Sequence, residues 1–203
     1  NDEQIRKNIT ILSGNGARKI QRGPDASRAI AMFRIDNTYT LTLGREGGMG
    51  QGNTLIIDGG AVWTGDVDST LNRGTTNSGL LGSSMVNLNG SGGTFNMYEG
   101  VTLQNNDGTE GAVSLGTSTT FNMYGGEIKN ISKTNTYDRG AVQVGNLATF
   151  TMWGTAGITG CSSNTFGGAV INQGTFTMNG GTISGNIASS GAGVFQNGGI
   201  FTM

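Results

Sequence analysis

The chain has 203 residues, among them 38 glycines, one proline, one cysteine and no histidine, and only 12% of them are charged. A single cysteine excludes an internal disulfide framework, the absence of histidine removes histidine general-base schemes and most zinc sites, and no 18-residue apolar run offers a transmembrane helix. Charge is polarised along the chain: net +4 over 1–45, net −5 over 46–139, and no charged residue from 140 to 203, a composition that weakens self-repulsion and favours association.

In chain order, segments 8–11, 19–21 and 32–35 read as three short strands of a first coil. That coil, 1–38, is rich in Arg and Lys and suits a cap, because charge blunts exposed strand edges. A second coil, 39–93, takes its strands from 39–43, 54–57 and 85–88 and carries two long excursions, 44–53 and 61–83. From 94 onward one phrase recurs. It reads Thr94-Phe95-Asn96-Met97, Thr120-Phe121-Asn122-Met123, Thr149-Phe150-Thr151-Met152 and Thr175-Phe176-Thr177-Met178, and returns as Ile200-Phe201-Thr202-Met203. The Phe-to-Phe steps are 26, 29, 26 and 25 residues, and a fixed period of this size is the signature of a solenoid. Each period holds two further short strands. One follows a glycine (101–103, 127–129, 158–159, 182–184), and the other opens near Gly-Ala-Val (112–115, 141–144, 169–172, 193–196).

Three strands and three turns in each period predict an all-β fold. It is a right-handed parallel β-helix of about six coils, with three short strands per coil, stacked at roughly 4.8 Å. Residues 1–203 form one domain, with regular coils over 94–203 that continue or stack beyond Met203. Strand parity points the Phe and Met of each phrase inward and its Thr and Asn outward. The opening Asn1-Asp2-Glu3-Gln4 reads as a mature or excised segment.

The phrases Phe176-Thr-Met-Asn-Gly-Gly-Thr-Ile-Ser-Gly-Asn186 and Gly167-Gly-Ala-Val170 resemble the repeats of bacterial extracellular β-helix proteins, both adhesin-like proteins and polymorphic outer-membrane proteins. The resemblance is tight over 94–203 and looser before it. Only Phe176-Thr-Met-Asn179 satisfies Phe-x-x-Asn, since Tyr98, Tyr124 and Trp153 replace Asn in the other coils. Only 167–170 has the full Gly-Gly-Ala-aliphatic form. The resemblance implies secretion, display at the bacterial cell surface, an adhesive or stalk role, and no catalytic residues.

Several side chains qualify as functional candidates. The row Tyr98, Tyr124, Trp153 reads either as mutual aromatic stacking or as a platform for sugar rings. Ile171 and Phe195 share outward parity on a charge-free segment and read as a partner surface. The terminal phrase Ile200, Phe201, Thr202, Met203 reads as a core strand open to end-to-end stacking. The outward Thr/Asn ladder reads as exposed-strand chemistry first and as an ice-binding array second. Cys161 reads as a small buried residue, and Asp58 with Asp66 and Asp68 as an oxygen-ligand set for Ca²⁺. A cleft with Asp66, Asp68 and Arg73 is the one place to look for catalysis.

These residues together predict an extracellular structural or adhesive rod, without cofactor, metal or catalytic residue. The partner is either another copy of the chain, stacked into a filament, or a host or environmental glycan or protein. The basic residues at the start lack the density of a nucleic-acid patch, so no nucleic-acid partner is expected.

Overall fold

The computed structural model describes residues 4–22, 31–60, 63–68, 73–76, 83–107, 110–133 and 140–203, with backbone alone at 4–5, 63–68, 73–76 and 133. No helix occurs among them. The short strands sort into three parallel sheets that wrap one core, giving a parallel β-helix with three strands per coil.

The first face stacks Ile9–Ile11, Thr40–Leu43, Thr94–Met97, Thr120–Met123, Thr149–Met152, Thr175–Met178 and Ile200–Thr202. The recurring phrase sets its register. Phe95 lies opposite Phe121, Phe121 opposite Phe150, Phe150 opposite Phe176 and Phe176 opposite Phe201. These rings form an inward ladder with centroids 4.7–4.9 Å apart. Phe95, Phe121, Phe150 and Phe176 are fully buried. Burying each such side chain stabilises the fold by about 1.5–3 kcal/mol, and each offset stack adds about 0.5–1.5 kcal/mol.

The second face stacks Arg18–Gln21, Leu55–Asp58, Val101–Asn106, Glu127–Lys133, Gly157–Thr159 and Thr182–Ser184. The third stacks Gln4–Ile5, Phe33–Ile35, Val86–Leu88, Val113–Leu115, Val142–Val144, Val170–Asn172 and Val194–Gln196. Both alternate with period 2, mainly apolar inward and polar outward, with Ile56, Ile171 and Phe195 as outward apolar exceptions. The inward series of the third face changes chemistry along the rod. Ile35, Leu88, Leu115 and Val144 are succeeded by Asn172 and Gln196. The buried Asn172 amide donates to Gln196 Oε1 (3.0 Å) and to the Ile200 carbonyl (2.8 Å), so this polar rung is satisfied.

The corner that follows the second face needs a left-handed residue. Asn105, Asn130, Gly160 and Gly185 occupy it, with φ of 56°, 52°, 60° and 63°. Asn and Gly are the residues that enter this region at least cost. The turn aims the next residue inward, which explains why Asn106, Ile131 and Cys161 are buried.

Every strand expected from the sequence is present, within a residue or so at its ends, apart from the longer Val101–Asn106 and Glu127–Lys133. Three features lie outside that reading, the first being the two-residue strand Ser162–Ser163 beside Glu127–Lys133. Gln4–Ile5 adds a strand beside Phe33–Ile35, too short to leave a pattern. Within the 61–83 excursion, Trp63–Asp68 and Arg73–Thr76 pair as an antiparallel hairpin. The 44–53 excursion folds back onto the rod. Met49 tucks under it, 6% exposed, its sulfur accepting the Ser13 N–H, and Asn53 bonds the Met49 carbonyl (2.9 Å) and the Gly16 N–H (2.6 Å).

Candidate functional site

Each strand of the first face ends at a corner, and in three consecutive coils the residue just past the phrase is aromatic. Tyr98 and Tyr124 stack with centroids 4.8 Å apart and planes 19° apart, and Tyr124 and Trp153 at 4.7 Å and 15°. The backbone ladder enforces this: Tyr124 N–H donates to the Met97 carbonyl (2.8 Å) and Trp153 N–H to the Met123 carbonyl (3.0 Å). The row is not covered by protein. Tyr124 is 40% exposed, and Tyr98 and Trp153 are half-buried.

A cavity of about 550 Å³ runs beside this row, lined by Tyr98, Tyr124, Glu46 and Glu99, with Gly47, Gly48, Gly154 and Thr155 completing its walls. Trp153 is not in the lining and acts as the backstop of the stack. Three parts of the chain build the groove. The coil corners supply the rings, the 44–53 loop supplies Glu46–Gly48, and the corner of the fifth coil supplies Gly154 and Thr155. One Glu99 carboxylate oxygen accepts the Thr155 hydroxyl two coils away. The Glu99 side chain can span that distance because Gly125 lies beneath it, where a Cβ would come within 2.8 Å of the carboxylate. Burial, and then the charges of Tyr124 and Glu46, hold the Tyr98 hydroxyl above its usual range.

A smaller depression of about 260 Å³ lies on the other side of the Glu99–Thr155 bridge, against Thr102, Glu127 and Gly157. There Lys129 Nζ is 2.7 Å from Glu127 Oε2, and the Thr159 hydroxyl donates to Oε1 (3.0 Å). The Lys129 hydrogen bond lowers the Glu127 pKa; burial opposes it, and Thr159 and the charge of Lys129 add to the lowering.

The other sequence candidates fall elsewhere. Ile171 and Phe195 do not form an open partner surface. Their outward parity holds, but Ile171 is 1% exposed, because the loop before Gly168 folds over it. A Cβ on Gly167 would sit 2.3 Å from the Ile171 side chain. Phe195 is stacked on Phe166 at 4.4 Å, a residue that strand parity could not flag because it lies in a turn. Ile200 and Met203 are 65% and 89% exposed, Thr202 is exposed, and Phe201 stacks on Phe176 at 4.9 Å while remaining 39% exposed.

Asp58 is engaged by groups of the protein itself. Its carboxylate takes Lys19 (3.0 Å), Gln104 (3.1 Å) and Asn105 (3.2 Å) on one oxygen and the Gly60 N–H (2.8 Å) on the other. Burial pushes its pKa up, but the Gly60, Gln104 and Lys19 bonds and the Lys19 charge outweigh that, and the net direction is down. The side chains of Asp66, Asp68 and Arg73 lie outside the described residues, and with them the calcium and catalytic readings of that excursion. No cluster of three or more metal-ligating side chains occurs among the described residues, and no described helix is long and apolar enough to cross a membrane. Cys161 is a small core residue, 1% exposed, its thiol pushed up to about 12 by burial.

Fold and groove together define a three-sided parallel β-helix with one open aromatic corner. Comparison with family models, curated proteins and solved structures finds no match for the chain.

Proposed function

We propose that the chain is a rigid adhesive segment displayed outside a bacterial cell, a β-helical stalk that attaches through the groove on its aromatic corner and performs no catalysis. The observation that supports this most is the contrast between its two outward aromatic clusters. Phe166 and Phe195 are half-buried and stack on each other at 4.4 Å, as expected of rings that serve stability. Tyr98 and Tyr124 instead border an open cavity, with the 44–53 loop standing beside the rings and not over them. A concave site with aromatic walls and a few converging polar groups is the usual form of a small-ligand site.

The unbroken register of the three faces supports the stalk part of the reading. Successive coils pair residue on residue, which makes the body stiff along its axis and fixes the groove relative to both ends. The deciding experiment is a glycan and matrix-protein array probed with the chain and with a Tyr98→Ala/Tyr124→Ala double variant. Retention of a defined ligand set by the wild type, lost in a double variant that keeps its melting profile, is the expected result. Equal retention by both proteins, or retention of nothing by the wild type, removes the adhesive reading.

A further inference from the structure

The aromatic row stops at a position that contains no side chain. Leu43 pairs with Met97, and the Tyr98 N–H donates to the Leu43 carbonyl (3.1 Å), so the residue opposite Tyr98 in the preceding coil is Gly44. On its other side Tyr98 is covered by Tyr124 at 4.8 Å. Toward Gly44 the ladder supplies no fourth ring. Gly44 is buried, and a Cβ built there would lie 3.0 Å from Val101 Cγ2 and 3.1 Å from the Tyr98 Cβ, so the base of this rung is packed closed and only the outer part of the Tyr98 ring meets the cavity; the left-handed backbone at Gly44 (φ 78°) favours glycine. The chain then turns out through Glu46, Gly47 and Gly48, which line the cavity together with Tyr98 and Glu99.

The lining also has a definite charge. It holds two carboxylates, Glu46 and Glu99, and no Lys or Arg. Gly47 and Gly154 leave the backbone open for close approach, Gly48 is tied to Arg45 through both its N–H (3.0 Å) and its carbonyl (3.0 Å), and Thr155 contributes a hydroxyl. The cavity reaches from the second coil to the fifth, about three rungs or roughly 14 Å at strand spacing.

Resting on the adhesive reading, we infer that the groove binds an amino-sugar chain, with the apolar face of one ring set against Tyr98 as the next rung of the aromatic stack and its protonated amine held by Glu46 and Glu99. A pyranose ring has a flat apolar face that matches an open aromatic face, and hydroxyls that match the open backbone of Gly47 and Gly154 and the Thr155 hydroxyl. Two carboxylates, with the nearby Arg45 turned onto the Gly48 carbonyl (3.0 Å) and outside the lining, select a cation and disfavour an acidic sugar by like-charge repulsion. An ammonium beside an aromatic ring gains cation–π attraction as well as ion pairing. The length of the groove along the axis suits several linked sugars.

The test is titration calorimetry of the whole chain with four ligands of equal length, in mildly acidic buffer: a glucosamine hexamer, an N-acetylglucosamine hexamer, cellohexaose and hexalysine. The glucosamine hexamer binds at least about tenfold more tightly than either neutral sugar, equivalent to about 1.4 kcal/mol. Added salt weakens it, and the preference disappears in Glu46→Gln and Glu99→Gln. Tyr98→Ala weakens all three sugars. Both glutamates are exposed, so these variants are expected to fold. Equal affinity for glucosamine and neutral hexamers, or a preference that survives both Glu→Gln changes, overturns the amine assignment while leaving the adhesive reading intact. Tighter binding of hexalysine overturns the sugar assignment and makes the groove a receptor for basic peptides. Binding of none of the four overturns the assignment entirely, and the array described above then decides separately whether the adhesive reading stands.

Discussion

Phe150 sits at the middle of the inward ladder, fully buried, with Phe121 at 4.8 Å on one side and Phe176 at 4.7 Å on the other. Phe150→Ala removes a ring that the flanking rings cannot replace, because their backbones are fixed in register by hydrogen bonds. A buried Phe→Ala change costs about 3–5 kcal/mol. The two lost stacks make up about 1–3 kcal/mol of this, at roughly 0.5–1.5 kcal/mol each. Phe150→Leu keeps most of the apolar volume and isolates that share, so it loses about 1–3 kcal/mol. Phe201→Ala serves as the internal contrast. That ring has one described stacking partner and is 39% exposed, so its loss is well below that of Phe150→Ala. Urea unfolding followed by circular dichroism gives the totals. Hydrogen exchange resolved by segment shows whether protection falls first in the coils around 121–176, as nearest-neighbour coupling in a solenoid requires. A Phe150→Ala loss below about 1 kcal/mol, far under the usual range for a buried ring, refutes the argument. So does a loss equal to that of Phe201→Ala.

Three further outcomes follow from single sites. Leu147 turns the corner into the first face with φ 59° and is 69% exposed, where Ser118 makes the same turn in the preceding coil with φ 58°. Leu147→Asn is therefore expected to raise stability by about 1 kcal/mol, read as a higher urea midpoint, and no gain would show that the backbone there is unstrained. Asp58 and Glu127 have folded pKa values below their unfolded ones, so the folded chain binds fewer protons than the unfolded chain. Their stabilisation is fully present above the unfolded carboxylate values, about 4, and is lost as pH falls through the lowered folded values. Asp58→Asn should flatten the acid limb of a plot of urea midpoint against pH, and an unchanged limb would contradict the Lys19–Asp58 account. Cys161, buried and with its thiol pushed up to about 12, should react with a thiol reagent only as fast as the chain opens, and rapid labelling in native buffer would place it outside the core.

The first face was legible because its phrase carries both period and parity. Phe95 to Phe201 repeat at a spacing that a coil must match, and alternate residues must face opposite ways. The second and third faces followed from the glycines and the Gly-Ala-Val openings. The aromatic row was legible as a row, but its environment was not. Glu46, Gly47 and Gly48 belong to an excursion with no counterpart in the other coils, so no periodicity ties them to Tyr98. The empty rung at Gly44 becomes visible only once Leu43 is known to pair with Met97. Ile171 failed for a related reason. Parity reports which side of a strand a residue leaves from, and it carries no information on whether the loop before Gly168 returns to cover that side.

The three faces also determine how the rod answers a pull on its two ends. Strand pairing joins each coil only to the coils above and below it, with single side-chain bonds such as Glu99–Thr155 reaching two coils away, so unwinding proceeds from an end, one coil at a time. Each coil of 25–29 residues releases about 80–100 Å of extended chain. A tether with this construction pays out length in near-equal increments, each resisted by three short strand pairs and one rung of the phenylalanine ladder. Force spectroscopy would record this as a regular sawtooth whose spacing reports the sequence period itself.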